Sequence, residues 1–109
     1  MSEASYRYKA TDGTCKYSAA EAYQNIVVKQ HNFVTVDDVS ALQTAIAKQP
    51  ISVGIDATCL AFRFYSSGVF DDANCGTDLD HAVLATGYGV EGGLNYFNVK
   101  NSWNTDWGE

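Results

Sequence analysis

The chain is poor in positive charge. Seven Lys and Arg stand against thirteen Asp and Glu, a formal net charge of −6 over 109 residues. Neutralising a row of phosphates requires clustered cations, so nucleic acid is excluded as a partner. An anionic membrane surface is disfavoured for the same reason. Long apolar runs are also lacking, and nothing approaches the roughly 18 residues of a membrane span. The opening Met1-Ser2-Glu3-Ala4-Ser5 is polar and has no signal-peptide core. That leaves a cytosolic chain or a targeting segment upstream. Proline occurs once, at Pro50, and histidine twice, at His31 and His81. Cys15, Cys59 and Cys75 make an odd count with no C-x-x-C pair. No four-ligand zinc set is present, so no metal is expected. At most one internal disulfide can form. The cysteines are either reduced thiols or half-cystines with partners outside the chain.

What is present favours one domain with a core. Hydrophobic residues make up 46% and aromatics 13%, including seven Tyr, a composition that suits large side chains packed on a sheet. Residues 1–20 are turn-rich, with Asp12-Gly13 a strong turn signal. Tyr23 to Val28 and Asn32 to Val36 read as short strands. Asp37-Asp38 offers an N-cap, and Val39, Leu42, Ala45 and Ile46 follow at helical spacing to about Lys48. Gln49-Pro50 ends that helix. Ile51 to Asp56 reads as a strand and Leu60 to Tyr65 as a short helical turn with Phe62 and Tyr65 facing in. Ser67-Gly68 marks a turn and Val69-Phe70 an extended piece. Residues 71–80 form a loop. His81 to Tyr88 reads as a buried strand, Gly89 to Gly93 as a connection and Asn95 to Asn101 as the partner strand. The fold expected is α+β: an antiparallel, twisted or barrel-like sheet with one main helix.

His81 and Asn101 each have an ordinary structural reading, the first as a satisfied histidine beside apolar residues, the second as a strand-end cap. Their combination points further. With a turn at Gly89 to Gly93, the arms 81–88 and 94–101 are equal, and His81 and Asn101 face each other across a ladder. An amide oxygen then accepts from one imidazole N–H and leaves the other nitrogen for a nucleophile, the base-and-orienter logic of catalytic triads. Trp103 stands close enough in sequence to cover that bond.

Leu79-Asp80-His81-Ala82-Val83-Leu84-Ala85, followed by Gly87-Tyr88-Gly89, resembles the histidine region of papain-like cysteine proteases. Val99-Lys100-Asn101-Ser102-Trp103, running on to Trp107-Gly108-Glu109, resembles that family's asparagine region. Asp12-Gly13-Thr14-Cys15, Gln49-Pro50-Ile51-Ser52-Val53, Ile55-Asp56-Ala57, Phe64 to Val69 and Cys75-Gly76 match as well, so the resemblance covers nearly the whole chain. It implies the β-rich right-hand half of the papain-like fold over residues 1–109, incomplete. It makes His81 the partner of a nucleophilic cysteine and Asn101 its orienter, with Trp103 shielding the contact. It gives Asp80 a role in anchoring substrate backbone through its carbonyl. Gly54, Leu79 and Ala82 would line the apolar pocket for the residue two before the scissile bond. Cys15 and Cys75 match half-cystines that pair outside this stretch, one with the N-terminal half and one with a C-terminal tail, leaving Cys59 as a free thiol.

The nucleophile's Cys-Gly-Ser-Cys-Trp type run does not occur here, nor does the oxyanion glutamine upstream of it. The chain alone is therefore expected to be inactive and to depend on the N-terminal half as a partner. Protein or peptide substrates and protein inhibitors are the other expected partners. No cofactor is implied, and the resemblance implies a lysosomal, vacuolar or secreted location. A non-catalytic papain-like binding module is the alternative, and an unrelated α+β binding domain the remaining one. Asn104 stands where the family usually has glycine, a substitution that asparagine's tolerance of left-handed angles makes harmless. The strand that normally follows Trp107-Gly108-Glu109 is not included, so an exposed sheet edge is expected.

Overall fold

The computed structural model describes all 109 residues. Two units separate, Met1–Phe33 and Val34–Glu109. The first contains no helix or strand. It is held by local bonds, among them the Tyr8 amide to Glu3 Oε1 at 3.0 Å and the Lys16 amide to the Tyr6 hydroxyl at 3.2 Å.

The expected strands at 23–28 and 32–36 do not form. Around Tyr23 the backbone turns instead, with the Ile26 amide donating to the Tyr23 carbonyl at 3.2 Å. Val28 and Phe33 are 85% and 92% exposed. β-branched residues favour a strand only where a neighbouring edge completes the ladder and a surface covers the side chains. This stretch has neither.

The second unit contains the ordered elements. Helix α1 spans Val39–Ile46, and the Asp38 carboxylate caps it by accepting from the Ala41 amide at 2.9 Å. Turns through Gln49 follow, and the chain enters strand β1, Ile51–Ile55. The short helix α2 spans Leu60–Arg63. Strands β2, His81–Glu91, and β3, Leu94–Lys100, form a hairpin. The sheet is antiparallel in the order β1-β2-β3. Three strands make a simple sheet; no barrel closes. β2 lies in the centre, between β1 and β3.

The turn is shorter than the spacing predicts. Only Gly92 and Gly93 separate the strands, and both have positive φ, 58° and 86°. Two-residue hairpins whose twist matches the strands require this conformation, and glycine adopts it without steric cost.

The core is small. Only Ile46, Ala57, Val83 and Ala85 are buried apolar residues. The chain exposes 9179 Å², against roughly 5,900 Å² for a compact chain of this mass. A cavity of about 430 Å³ lies against β3, lined in part by Phe70, Tyr96, Phe97, Val99 and Trp107.

Candidate active site

His81 opens β2 and pairs with Ile55, the last residue of β1. Its ring is half-buried. Nε2 lies 2.9 Å from Asn101 Oδ1. The Ser102 amide also donates to that oxygen, at 2.7 Å. A backbone N–H can only donate, so this second bond fixes the amide's orientation and makes Oδ1 the acceptor for the ring. The proton of the neutral imidazole is thereby placed on Nε2, and Nδ1 is left with its lone pair. Asn101 Nδ2 is buried without a partner.

The two residues do not meet as equal arms of the hairpin. Leu84 pairs with Lys100, so Asn101 follows opposite Val83, two positions from His81. The contact is diagonal, within reach across neighbouring strands. The register that permits it is set at a bulge: Ala85 pairs with Val99 and Gly87 with Asn98, with Thr86 left between them.

Trp103 stacks on His81, ring centroids 5.0 Å apart and planes at 24°. It is held in turn by an aromatic cluster. Phe62 of α2 meets Trp103 at 5.6 Å and Trp107 at 5.0 Å. The Trp107 indole N–H donates to the Phe62 carbonyl at 2.9 Å. Tyr65 and Phe70 complete the group, both in contact with each other and Tyr65 with Trp107. Phe62 and Tyr65 are half-buried here, as the spacing predicts. Burial, then the charges of Glu109 and Glu91, pushes the Tyr65 phenol up. Asn104 takes the left-handed conformation, φ 70°.

Asp80 acts through groups that sequence reasoning did not single out. Its amide donates to the Ile55 carbonyl at 3.1 Å, and its carboxylate accepts from the Ala57 amide at 2.8 Å. One strand end is thereby tied to the residue preceding His81. Asp56 adds a second tie. It accepts from the Thr58 amide and hydroxyl at 2.9 and 2.6 Å, and from the Asp78 amide at 3.2 Å. The Thr58 hydroxyl, with the Thr58 and Asp78 amides, holds the Asp56 carboxyl below its ordinary value of 3.8.

Gly54 pairs directly with Ala82 on the sheet. Leu79 lies over Gly54, its Cδ1 3.2 Å from where a Cβ would stand. The three residues form one patch, and all are exposed.

The cysteines differ from expectation. Cys59 and Cys75 are joined in a disulfide, their Cα atoms 5.1 Å apart, within the range a bridge needs. Cys15 is the free, exposed thiol. The two bridged residues are sixteen positions apart. Between them in space lie the Asp56 and Asp80 ties, which sequence spacing alone does not reveal.

The sequence matches the family described as Papain family cysteine protease along residues 1–109. Among curated relatives, Vignain of Ricinus communis is 48% identical over 108 residues, covering 98% of this chain and 29% of its own length. Cysteine endopeptidase RepA of Oryza sativa subsp. japonica is 45% identical over 108 residues, 98% of this chain and 28% of its own length. The chain thus spans less than a third of these relatives. Among solved structures, the bromelain protease from Ananas comosus, bound to an inhibitor, superposes with a TM-score of 0.83 at 42% identity. It covers 99% of this chain and 49% of its own. Digestive procathepsin L 3 of Tenebrio molitor larval midgut superposes at 0.88 with 36% identity, over 100% of this chain and 36% of its own.

Proposed function

We propose, from the premise that this chain belongs to the papain family of cysteine proteases, that it supplies the histidine and asparagine of a thiol endopeptidase. The observation that carries this reading is the 2.9 Å bond from His81 Nε2 to Asn101 Oδ1 beneath the stacked Trp103. A ring held by Nε2 presents Nδ1 as the proton acceptor for a thiol and, once protonated, as the donor to a leaving amine. Asn101 keeps the ring oriented through both steps. Trp103 keeps water from their bond. Asp80 anchors substrate backbone through its carbonyl, on a strand end its own side chain immobilises.

No thiol of this chain is assigned as the nucleophile. Cys59 and Cys75 are consumed in a bridge, and the family's nucleophile motif is absent from the sequence. We assign the nucleophile to an N-terminal half of the peptidase domain, with residues 1–109 forming the β-rich half. The exposed apolar surface of this chain supports a need for such a partner. The substrate is protein, cleaved at internal bonds. The patch of Gly54, Leu79 and Ala82 receives a Leu- or Phe-sized side chain, because two of its three residues are small. A peptide-library profile favouring Arg or Asp there removes that assignment. The Cys59–Cys75 bridge supports a vacuolar, lysosomal or secreted location. No helix is long and apolar enough to cross a membrane.

The decisive experiment is peptide hydrolysis by the full-length protein, blocked by an epoxide thiol inhibitor. His81→Ala is expected to lower kcat by about 10²–10⁴-fold, the usual worth of a positioned base. The 109-residue chain alone is expected to show no hydrolysis. Full-length protein that folds and hydrolyses normally with His81→Ala refutes the assignment.

A further inference from the structure

The pairing of β1 with β2 ends at Ile55 and His81, but the two segments do not part there. Carried one step further, an antiparallel register sets Asp56 opposite Asp80. Each of these carboxylates reaches the backbone of the other segment. Asp80 accepts from the Ala57 amide at 2.8 Å, and Asp56 Oδ2 accepts from the Asp78 amide at 3.2 Å. Beyond the bond from the Asp80 amide to the Ile55 carbonyl, side chains continue a ladder that backbone carbonyls leave.

Asp56 divides its two oxygens between the segments. Oδ1 takes the Thr58 amide and hydroxyl on its own side, at 2.9 and 2.6 Å. Those bonds fix the carboxylate's orientation and aim Oδ2 at the loop. Gly76 lies against Oδ2, with no room for a Cβ. Among residues 76–79, the Asp78 amide makes the one hydrogen bond that leaves the loop. An ionised acceptor makes that bond stronger than a carbonyl would.

Leu79 stands between the two tied residues, Asp78 and Asp80. It is 72% exposed, and its Cδ1 lies 3.2 Å from where a Cβ on Gly54 would stand. A side chain so open to water is placed by the backbone beneath it more than by packing. Asp80 secures that backbone on one side and Asp56 on the other.

We propose that Asp56 is a positioning residue for Leu79: its carboxylate fixes the loop before His81 so that Leu79 stands as a wall over Gly54. The consequence for specificity rests on the reading of Gly54, Leu79 and Ala82 as the patch that receives an apolar substrate side chain. His81 does not depend on Asp56, because β1, Asn101 and Trp103 hold it.

The test uses the full-length protein with Asp56→Ala. The NMR cross-peak between the Leu79 methyls and the Gly54 α-protons should be lost. The preference in kcat/KM for Leu over Ala at the patch position should fall about tenfold, through KM with kcat kept, since a displaced wall removes binding and not proton transfer. Alkylation of the nucleophilic thiol by iodoacetamide reports on the thiol and His81 alone, and its rate should stay within about twofold. Alkylation that falls as far as hydrolysis shows general damage and overturns the proposal, as does a retained cross-peak. Gly76→Ala is the second variant, because its Cβ displaces the carboxylate without removing it. It should reproduce the loss, and combined with Asp56→Ala it should add nothing. Additive losses in the double variant overturn the proposal. Should Asp56→Ala not fold, Gly76→Ala decides by the same three measurements. A lost cross-peak with an unchanged preference for Leu supports the positioning role and removes the patch from the substrate site.

Discussion

Residues 1–33 and 34–109 carry similar kinds of side chain and reach different ends. The first stretch contains Tyr6, Tyr8, Tyr17, Tyr23, Ile26, Val27, Val28 and Phe33, all exposed. The second places Val83 and Ala85 at 6% and 2% exposure on the central strand. The difference is a neighbour. β2 has a strand on each side and α1 against it, whereas Ile26 to Val28 have no paired strand. Apolar content supplies the drive to bury surface, but backbone pairing decides which residues can act on it.

Hydrogen exchange offers the strongest way to break this comparison. Amides paired within β2 and β3 should exchange at least about 100-fold more slowly than those of Ile26 to Val28. Comparable protection in both would mean that the first stretch has its own ordered partner. Side-chain truncation sharpens the same contrast. Val83→Ala should cost about 2 kcal/mol by chemical denaturation, and Val28→Ala no more than about 0.5 kcal/mol. Removing the α1 cap with Asp38→Ala should cost about 1 kcal/mol. Its effect should appear at α1 amides and not before Phe33.

The smallest effect is a dependence on pH. The Thr58 hydroxyl, with the Thr58 and Asp78 amides, lowers the Asp56 carboxyl below 3.8. A depressed carboxyl stabilises the fold above its unfolded value, and the contribution disappears as pH falls through the folded value. Thermal melts should therefore show a loss below about pH 3.8 that Asp56→Asn removes. A melt of equal steepness in that variant would assign the acid sensitivity elsewhere.

Much of the second unit was legible because its signals are local. Asp38 caps the helix it precedes, Pro50 lies just before β1, and His81 and Asn101 meet at the two strand ends. The resemblance extended the expectation to Trp103, which stacks on His81, and to Gly54, Leu79 and Ala82, which lie side by side. What escaped depends on distance through space. Cys59 and Cys75 stand sixteen positions apart and meet only in three dimensions. The carboxylate role of Asp80 needs the position of Ala57. The strands expected at 23–28 and 32–36 fit the residue types and fail for want of an edge, which no window of sequence contains.

The bulge at Thr86 has a consequence in simple parity. In a regular hairpin closed by two residues, side chains on one face of the paired strands are separated by odd numbers of positions. His81 and Asn101 are twenty apart, an even number that a regular ladder sends to opposite faces. One residue looped out of β2 turns even into odd, and the imidazole and the amide arrive on the same side. Loss of Thr86 itself preserves that match: Ala85 would still follow onto Val99. Loss or gain of a single residue between Val99 and Asn101 would send the amide to the far face of the sheet.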